Sequence, residues 1–361
     1  MNMIKKIKIK LTILLLGNKK KYKNINLKDV KTVLLSPKDA LGDTLISFSH
    51  ARQLRKMYPY AKIGIVSTVR NKNFIKLINQ KEKVFDEIVD RKKIVRHRKK
   101  WDLLLDFKDQ INTKRLIWTK ILKPKIIISF GKDKAGHYFS RKNIKIYDFV
   151  TAPPEKAHIV DYLMYSELSK YFNIEKEIPK LELNGFEVSK MVKNWNLKRR
   201  KVKILLAPQG NDRCIKIEEL AKFLNDVNFE NVKFIMSKTS GSEKYFEKLT
   251  SLLKSNIDIS LSKAFSIEEY VNFLASSDIV VGVDSGSVHI ACALKKPVLS
   301  FYANNEANLY RWSPVPNKNV DSLQIISNIA GTQNDLYDFP MEDAVKWLNI
   351  EINKIYGQSE R

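Results

Sequence analysis

From residue 31 onward the chain alternates short apolar runs with stretches that are apolar on one side only. Residues 33–35 read as a buried strand, 44–57 as a helix with Leu45, Phe48, Leu54 and Met57 on one side, and 62–66 as the next strand, which makes a βαβ unit. Further strands are predicted at 103–105 and 126–128, followed by a charged loop around 131–136 and a helix over 159–171. The charged stretch 173–201, with Pro179 and Gly185, shows no long period, and a domain boundary is expected inside it. A second series follows, with strands at 202–206, 232–236, 279–283 and 298–302 and helices at 217–224, 243–253, 267–275 and 288–294. Strands alternating with helices at this spacing predict an α/β fold of two Rossmann-like domains, each a parallel sheet covered on both faces, with a cleft between them. The expected divisions are a basic extension over 1–30, an N-terminal domain over 31–180, a C-terminal domain over 195–335 and a last helix over 340–356. That helix can pack on either domain.

Composition removes several alternatives. A chain of 361 residues, 44% hydrophobic, with 12 Gly and 11 Pro, is long enough for two buried cores and is neither disordered nor low-complexity. Two cysteines, Cys214 and Cys292, cannot form a disulfide framework, and no Cys-x-x-Cys or His-Glu-x-x-His spacing offers a zinc site, so a reducing, cytoplasmic setting is expected. The net charge of +26 suggests an anionic partner, and its distribution sharpens that picture. Residues 1–203 hold 49 basic and 19 acidic side chains, whereas 204–361 hold 16 and 20. The densest runs are 5–28, 91–100 and 132–145; each is either a solvated face or a docking surface for phosphate-bearing partners. No helix-turn-helix, zinc finger or RNA-stacking motif accompanies the charge, so nucleic acid is not the expected partner. Near the start, the apolar run 11–16 is too short to span a bilayer and is followed by lysines; an interfacial amphipathic anchor, an edge strand and a disordered tail all fit it.

Ligands of open parallel sheets bind at the carboxyl ends of the strands, and three loops there carry chemistry. In Asp39-Ala40-Leu41-Gly42-Asp43-Thr44, Gly42 permits a tight turn and Asp43 sits where a helix begins, either as a plain N-cap or as a base accepting a proton from an attacking hydroxyl. The loop 207–216 offers Gln209 and Gly210 with Arg213 and Lys216, able to hold a diphosphate or to be an ordinary βα connection with surface cations. The third loop is the most specific. An apolar strand ends in Asp284-Ser285-Gly286-Ser287 and opens into a small-residue helix bearing His289, so the free N–H groups of the first turn form an anion site. A lone helical histidine is more often structural than catalytic. The absence of a P-loop and of Gly-x-Gly-x-x-Gly argues against triphosphatases and dinucleotide oxidoreductases.

The segment from Asp284 to His289, its Ala-rich helix, the Lys296-Pro297-Val298 strand start and Leu41-Gly42-Asp43 resemble the ADP-heptose:lipopolysaccharide heptosyltransferases, glycosyltransferase family 9. The stretches 101–106 and 158–161 are similar to two further family segments. The resemblance implies a GT-B fold and an inverting, metal-independent transfer of a heptose or related sugar from an ADP-sugar to a lipopolysaccharide or lipooligosaccharide core, with no cofactor beyond the donor. It implies Asp43 as base, with Ser285, Gly286 and Ser287 cradling the donor phosphates, Asp284 and His289 beside them, Lys216 or Arg213 as phosphate cation, and Glu243 near the ribose. The acceptor, an anionic glycolipid at the inner membrane surface, is expected to draw on Gly42 and on Arg96, Arg98, Lys132 and Lys134 of the basic runs. A monomer, cytoplasmic or peripheral on the inner leaflet, completes the expectation. Two readings stand beside it: a GT-B transferase with another nucleotide sugar for a different surface glycan, and a non-catalytic binder of anionic polymers. The chain departs from the family pattern where Lys216 is followed by Ile217-Glu218-Glu219 and where Met236-Ser237-Lys238-Thr239 precedes the ribose acid.

Overall fold

The structure is a computed structural model describing residues 3–20, 22, 26–108, 110–131, 139, 143–210, 212–228 and 230–357. The chain divides into two compact units, Met1–Glu177 and Ile178–Arg361. The first contains α1 (Met3–Leu16), β1 (Thr32–Ser36), α2 (Leu41–Met57), β2 (Lys62–Ser67), α3 (Lys72–Glu82), β3 (Glu87–Asp90), β4 (Leu103–Asp106), α4 (Thr113–Leu122), β5 (Ile126–Phe130) and β6 (Phe149–Thr151). The second contains α5 (Gly185–Val192), β7 (Val202–Ala207), α6 (Ile217–Asp226), β8 (Val232–Met236), α7 (Ser242–Ser251), β9 (Ile259–Leu261), α8 (Ile267–Ala275), β10 (Ile279–Val283), α9 (Gly286–Ala293), β11 (Val298–Asn304), α10 (Glu306–Arg311), β12 (Ser322–Ala330) and α11 (Met341–Gly357).

Each unit has one six-stranded sheet, ordered β3-β2-β1-β4-β5-β6 and β12-β11-β10-β7-β8-β9, and every pairing is parallel. Counted from its own first strand, each sheet has the Rossmann order, and the order reverses between β1 and β4 and between β7 and β10. The central strands are mostly apolar because helices cover both faces; β4, β5 and β10 are buried at every position, including Asp106 and Ser129 near the carboxyl ends of β4 and β5. Local sequence supports the helices. Before α8, for example, Ser266 and Glu269 form a reciprocal capping box.

One expectation changes and two open readings are resolved. Residues 159–171 form not one α-helix but two 3-10 helices, Ile159–Tyr165 and Glu167–Lys170. Ser166 separates them: its hydroxyl donates to the Leu163 carbonyl at 2.7 Å and accepts from the Leu168 N–H at 3.3 Å, closing one turn and capping the next. The alternating start of the chain is helical, since Ile9, Ile13 and Leu16 fall on one face of α1 and pack against the core of the first unit. Finally, α11 packs on α6, β7 and β12 of its own unit.

In the first unit the β2 strand passes beneath an indole. Gly64 lies directly under the buried Trp101, whose ring a Cβ at that position would overlap. Gly64→Ala should therefore destabilise the protein by about 1–3 kcal/mol through overpacking, read as a lower urea midpoint at unchanged slope.

Candidate functional site

In the first unit β1 and β4 stay paired to their carboxyl ends, with Ser36 opposite Asp106, and the strand order reverses between them. The chain leaves β1 at Ser36 and starts α2 with Ala40 at the N-cap, in extended conformation and with no side-chain capping bond. Asp43 is thus not the N-cap; it stands in the first turn, half-buried, beside buried Gly42, and its carbonyl accepts from Ser47 Oγ at 2.9 Å. At the end of β4, fully buried Asp106 pairs with Arg115, whose Nε donates to Oδ2 at 3.2 Å while Nη2 donates to Ser36 Oγ at 2.6 Å. A cavity of about 590 Å³ opens here, lined by Lys38, Asp39, Arg91, Lys108, Lys114 and Arg115 among others. Asp39 is held by Lys108 at 2.7 Å.

The acceptor residues expected from the basic runs do not gather at this place. Arg98 lines a second cavity, with Pro124 and Ile127, at the amino end of β5 and so at the opposite edge of the sheet from Gly42. Arg96 lies exposed on the 3-10 helix Arg91–His97 and does not line the carboxyl-end cavity. Lys132 and Lys134 fall outside the described residues. The cations that line the cavity at the β1 and β4 ends are Lys38, Arg91, Lys108, Lys114 and Arg115, and only the topology reveals them.

In the second unit the loops after β7, β8 and β10 converge. Gln209 is bridged to Cys214, and the Gly210 N–H donates to the Arg213 carbonyl at 2.7 Å. A Cβ on Gly210 would sit 3.4 Å from the Asp284 carbonyl and from Ser285 Cβ, so the two loops touch at this glycine. Thr239 Oγ1 donates to Gln209 Oε1 at 3.0 Å. Arg213 ties the arrangement together: Nη1 meets the Asp284 carboxylate at 2.9 Å and its backbone carbonyl at 2.8 Å, and Nη2 donates to Gln333 Oε1 at 3.2 Å. Asp284, only 3% exposed, also accepts from Asn308 Nδ2 at 2.6 Å; burial raises its pKa while Arg213 opposes the shift.

Ser285 is the N-cap of α9 by position, yet it makes no capping bond, and its buried hydroxyl has no hydrogen-bond partner among the described residues. Ser287 is held by Tyr270 at 2.7 Å. Buried His289 stands 3.9 Å from Asp284 Oδ1 and edge-on to Trp312; burial, together with the Arg213 charge, lowers its pKa to about 4. Lys216 places Nζ 3.8 Å from the Tyr337 ring centroid, and exposed Glu243 pairs with Lys238 at 2.8 Å. An unsatisfied hydroxyl and free first-turn N–H groups beside a guanidinium can hold an anion.

A family model for glycosyltransferase family 9 (heptosyltransferase) matches residues 92–335. The chain belongs to glycosyltransferase family 9. Among curated relatives of this family 9 chain, "Putative lipopolysaccharide heptosyltransferase 4" of Escherichia coli (strain K12) is 33% identical over 129 residues, 33% of this chain and 35% of that protein. Lipopolysaccharide heptosyltransferase 1 of Campylobacter coli is 29% identical over 104 residues, 28% and 30%. The chain thus spans about a third of the length of the curated relatives it matches. In fold it is similar to an E. coli ADP-heptose lps heptosyltransferase II, with TM-score 0.69 and 14% identity over 90% of this chain and 99% of that one. It is also similar to the E. coli heptosyltransferase WaaC solved with ADP, with TM-score 0.59 and 13% identity over 89% and 99%. The two parallel sheets are those of a GT-B glycosyltransferase.

Two outcomes follow for this family 9 chain. Arg213→Ala strands the buried Asp284 carboxylate and should cost about 3–5 kcal/mol, read as a lower thermal midpoint that Arg213→Lys recovers only in part. His289 titrates at about 4 when folded but near 6.5 when unfolded. Between those values the unfolded chain binds more protons, so stability falls as pH drops through that window. Urea unfolding at several pH values should show this slope, and His289→Gln should reduce it, the remainder coming from buried His50, whose pKa burial also lowers to about 4.

Proposed function

We propose that the protein transfers a heptose or closely related sugar from an ADP-linked donor to a lipopolysaccharide or lipooligosaccharide core acceptor, with inversion and without a metal. The observation that carries this reading is the family 9 match together with the start of α9, where the unpartnered Ser285 hydroxyl lies next to the Arg213–Asp284 pair. In this reading Ser285, Gly286 and Ser287 hold the donor phosphates through their N–H and O–H groups. Arg213 and Lys216 supply positive charge, neutral His289 borders the phosphates, and Gln209 and Gly210 shape the floor. Glu243 is assigned to the ribose. Asp284, buried and committed to Arg213 and Asn308, positions the loop and its cation.

The transfer step balances simply. The acceptor hydroxyl oxygen attacks the anomeric carbon from the face opposite the diphosphate, Asp43 takes its proton, the new C–O bond forms as the anomeric C–O bond to phosphate breaks, and ADP departs with the electron pair. The N–H groups of α9 and the loop cations stabilise the charge that grows on the diphosphate. Support for an anionic glycolipid acceptor at the membrane surface comes from Gly42 beside Asp43 and from the Lys38, Arg91 and Lys108 cavity at the same sheet edge. The names of the E. coli and C. coli relatives support the acceptor class, and the ADP in the WaaC structure supports the donor nucleotide.

A thermal-shift panel of ADP-, UDP-, GDP- and CDP-sugars should show stabilisation by an ADP-sugar. Asp43→Asn should then lose about 10²–10⁴-fold in turnover with donor affinity little changed, and wild-type turnover should persist in a chelator. Preference for a UDP-sugar, or full activity of Asp43→Asn, refutes the reading.

A further inference from the structure

The N-terminal helix has two apolar faces. Ile9, Ile13 and Leu16 face the core of the first unit, where α1 packs on α4. On the other side Met3, Ile7, Leu11, Leu14 and Leu15 are 49–74% exposed. At 3.6 residues per turn these five fall within an arc of about 120°, roughly opposite the docked face. Lys8 and Lys10 flank this outward stripe on its two sides, Lys5 and Lys6 lie further round, and the helix carries no acidic residue. The chain leaving α1 brings Lys19 and Lys20 to a cavity of about 370 Å³ that Arg98, Lys99, Lys120 and Lys123 also line.

We propose that the outward stripe of α1 docks the protein on an anionic phospholipid bilayer, the leucines entering the headgroup–acyl boundary while the lysines on either side meet lipid phosphates. Three observations favour this occupant. The stripe is large and contiguous, as membrane or protein contact sites are. Its borders carry Lys8 and Lys10 and no acidic residue, the arrangement in which lysine stems lie along apolar surface with their charges outward. A second copy of the chain pairing through the stripe would set lysine against lysine with no acid on either helix, which charge complementarity opposes. The helix itself, 14 residues or about 21 Å long, is too short to span a bilayer and is suited to lie in its surface. Each lysine near the surface adds attraction that salt weakens.

This goes beyond the transfer reading and does not depend on which sugar is moved. The test is co-sedimentation of the full chain, without donor, with vesicles of phosphatidylcholine holding about one-third phosphatidylglycerol, and with phosphatidylcholine alone. The expected result is binding to the anionic vesicles that weakens as salt rises from about 0.1 to 0.5 M. Leu14→Glu with Leu15→Glu should weaken it by about tenfold or more, and Lys8→Glu with Lys10→Glu should abolish the preference for anionic lipid. Both pairs are solvent-facing, so the thermal midpoint and transfer to a detergent-dispersed acceptor should stay unchanged, and loss of vesicle binding is thereby separated from loss of catalysis. The proposal is overturned if the wild-type chain ignores anionic vesicles or if the leucine variant binds them equally well. A dimer in solution that the leucine variant dissociates would overturn it in favour of self-association.

Discussion

A buried carboxylate paired with an arginine stands at the carboxyl end of the fourth strand in each unit, and the chemistry of both loop clusters depends on it. Asp106 closes β4 and is held by Arg115, which also reaches Ser36 at the end of β1. Asp284 follows β10 and is held by Arg213, which arrives from the loop after β7. In both cases the pair joins the two strands between which the sheet order reverses. Flanking helices diverge at such a point and leave a crevice, so the loops that border it lack the mutual packing that stiffens other turns. An ion pair buried there costs desolvation, and it is tolerable only because further hydrogen bonds, from Asn308 in one unit and to Ser36 in the other, complete the network.

This bracing shapes what remains for a ligand. In the second unit the Arg213 charge is partly balanced by Asp284, so in the proposed reading the anion rests mainly on backbone N–H donors of α9 and the Ser285 hydroxyl, with Lys216 and what remains of the Arg213 charge. In the proposed transfer, neutral donors fixed in place suit the leaving diphosphate, whose charge rises as the bond breaks and which must then be released. His289 fits the same scheme, since its buried ring stays uncharged at neutral pH and adds no permanent cation.

Charge in the first unit is arranged by the sheet and not by the sequence runs. The 91–100 run is divided between two places: Arg91 lines the cavity at the carboxyl ends of the strands, while Arg98 and Lys99 line the one at the amino end of β5. The 3-10 helix Arg91–His97 carries the chain from one edge toward the other. One basic run is therefore divided between two surfaces, the first beside Asp39 and the second beside the chain leaving α1.

The interior strands were legible from sequence because a strand buried on both faces must be apolar without interruption: β1, β2, β4, β5, β7, β8, β10 and β11 all lie where the apolar runs predict them. The four strands that the pattern misses, β3, β6, β9 and β12, are the four sheet edges, where partial exposure relaxes that demand. The Asp43 turn and the 284–289 turn were likewise readable, since a loop entering a helix constrains only its own few residues. Which strands are neighbours, which acid Arg213 meets, which end of the sheet Arg98 reaches and which face of α1 is covered were decided only in three dimensions. Each depends on a partner far along the chain, and local periodicity records how a segment is buried but not by what.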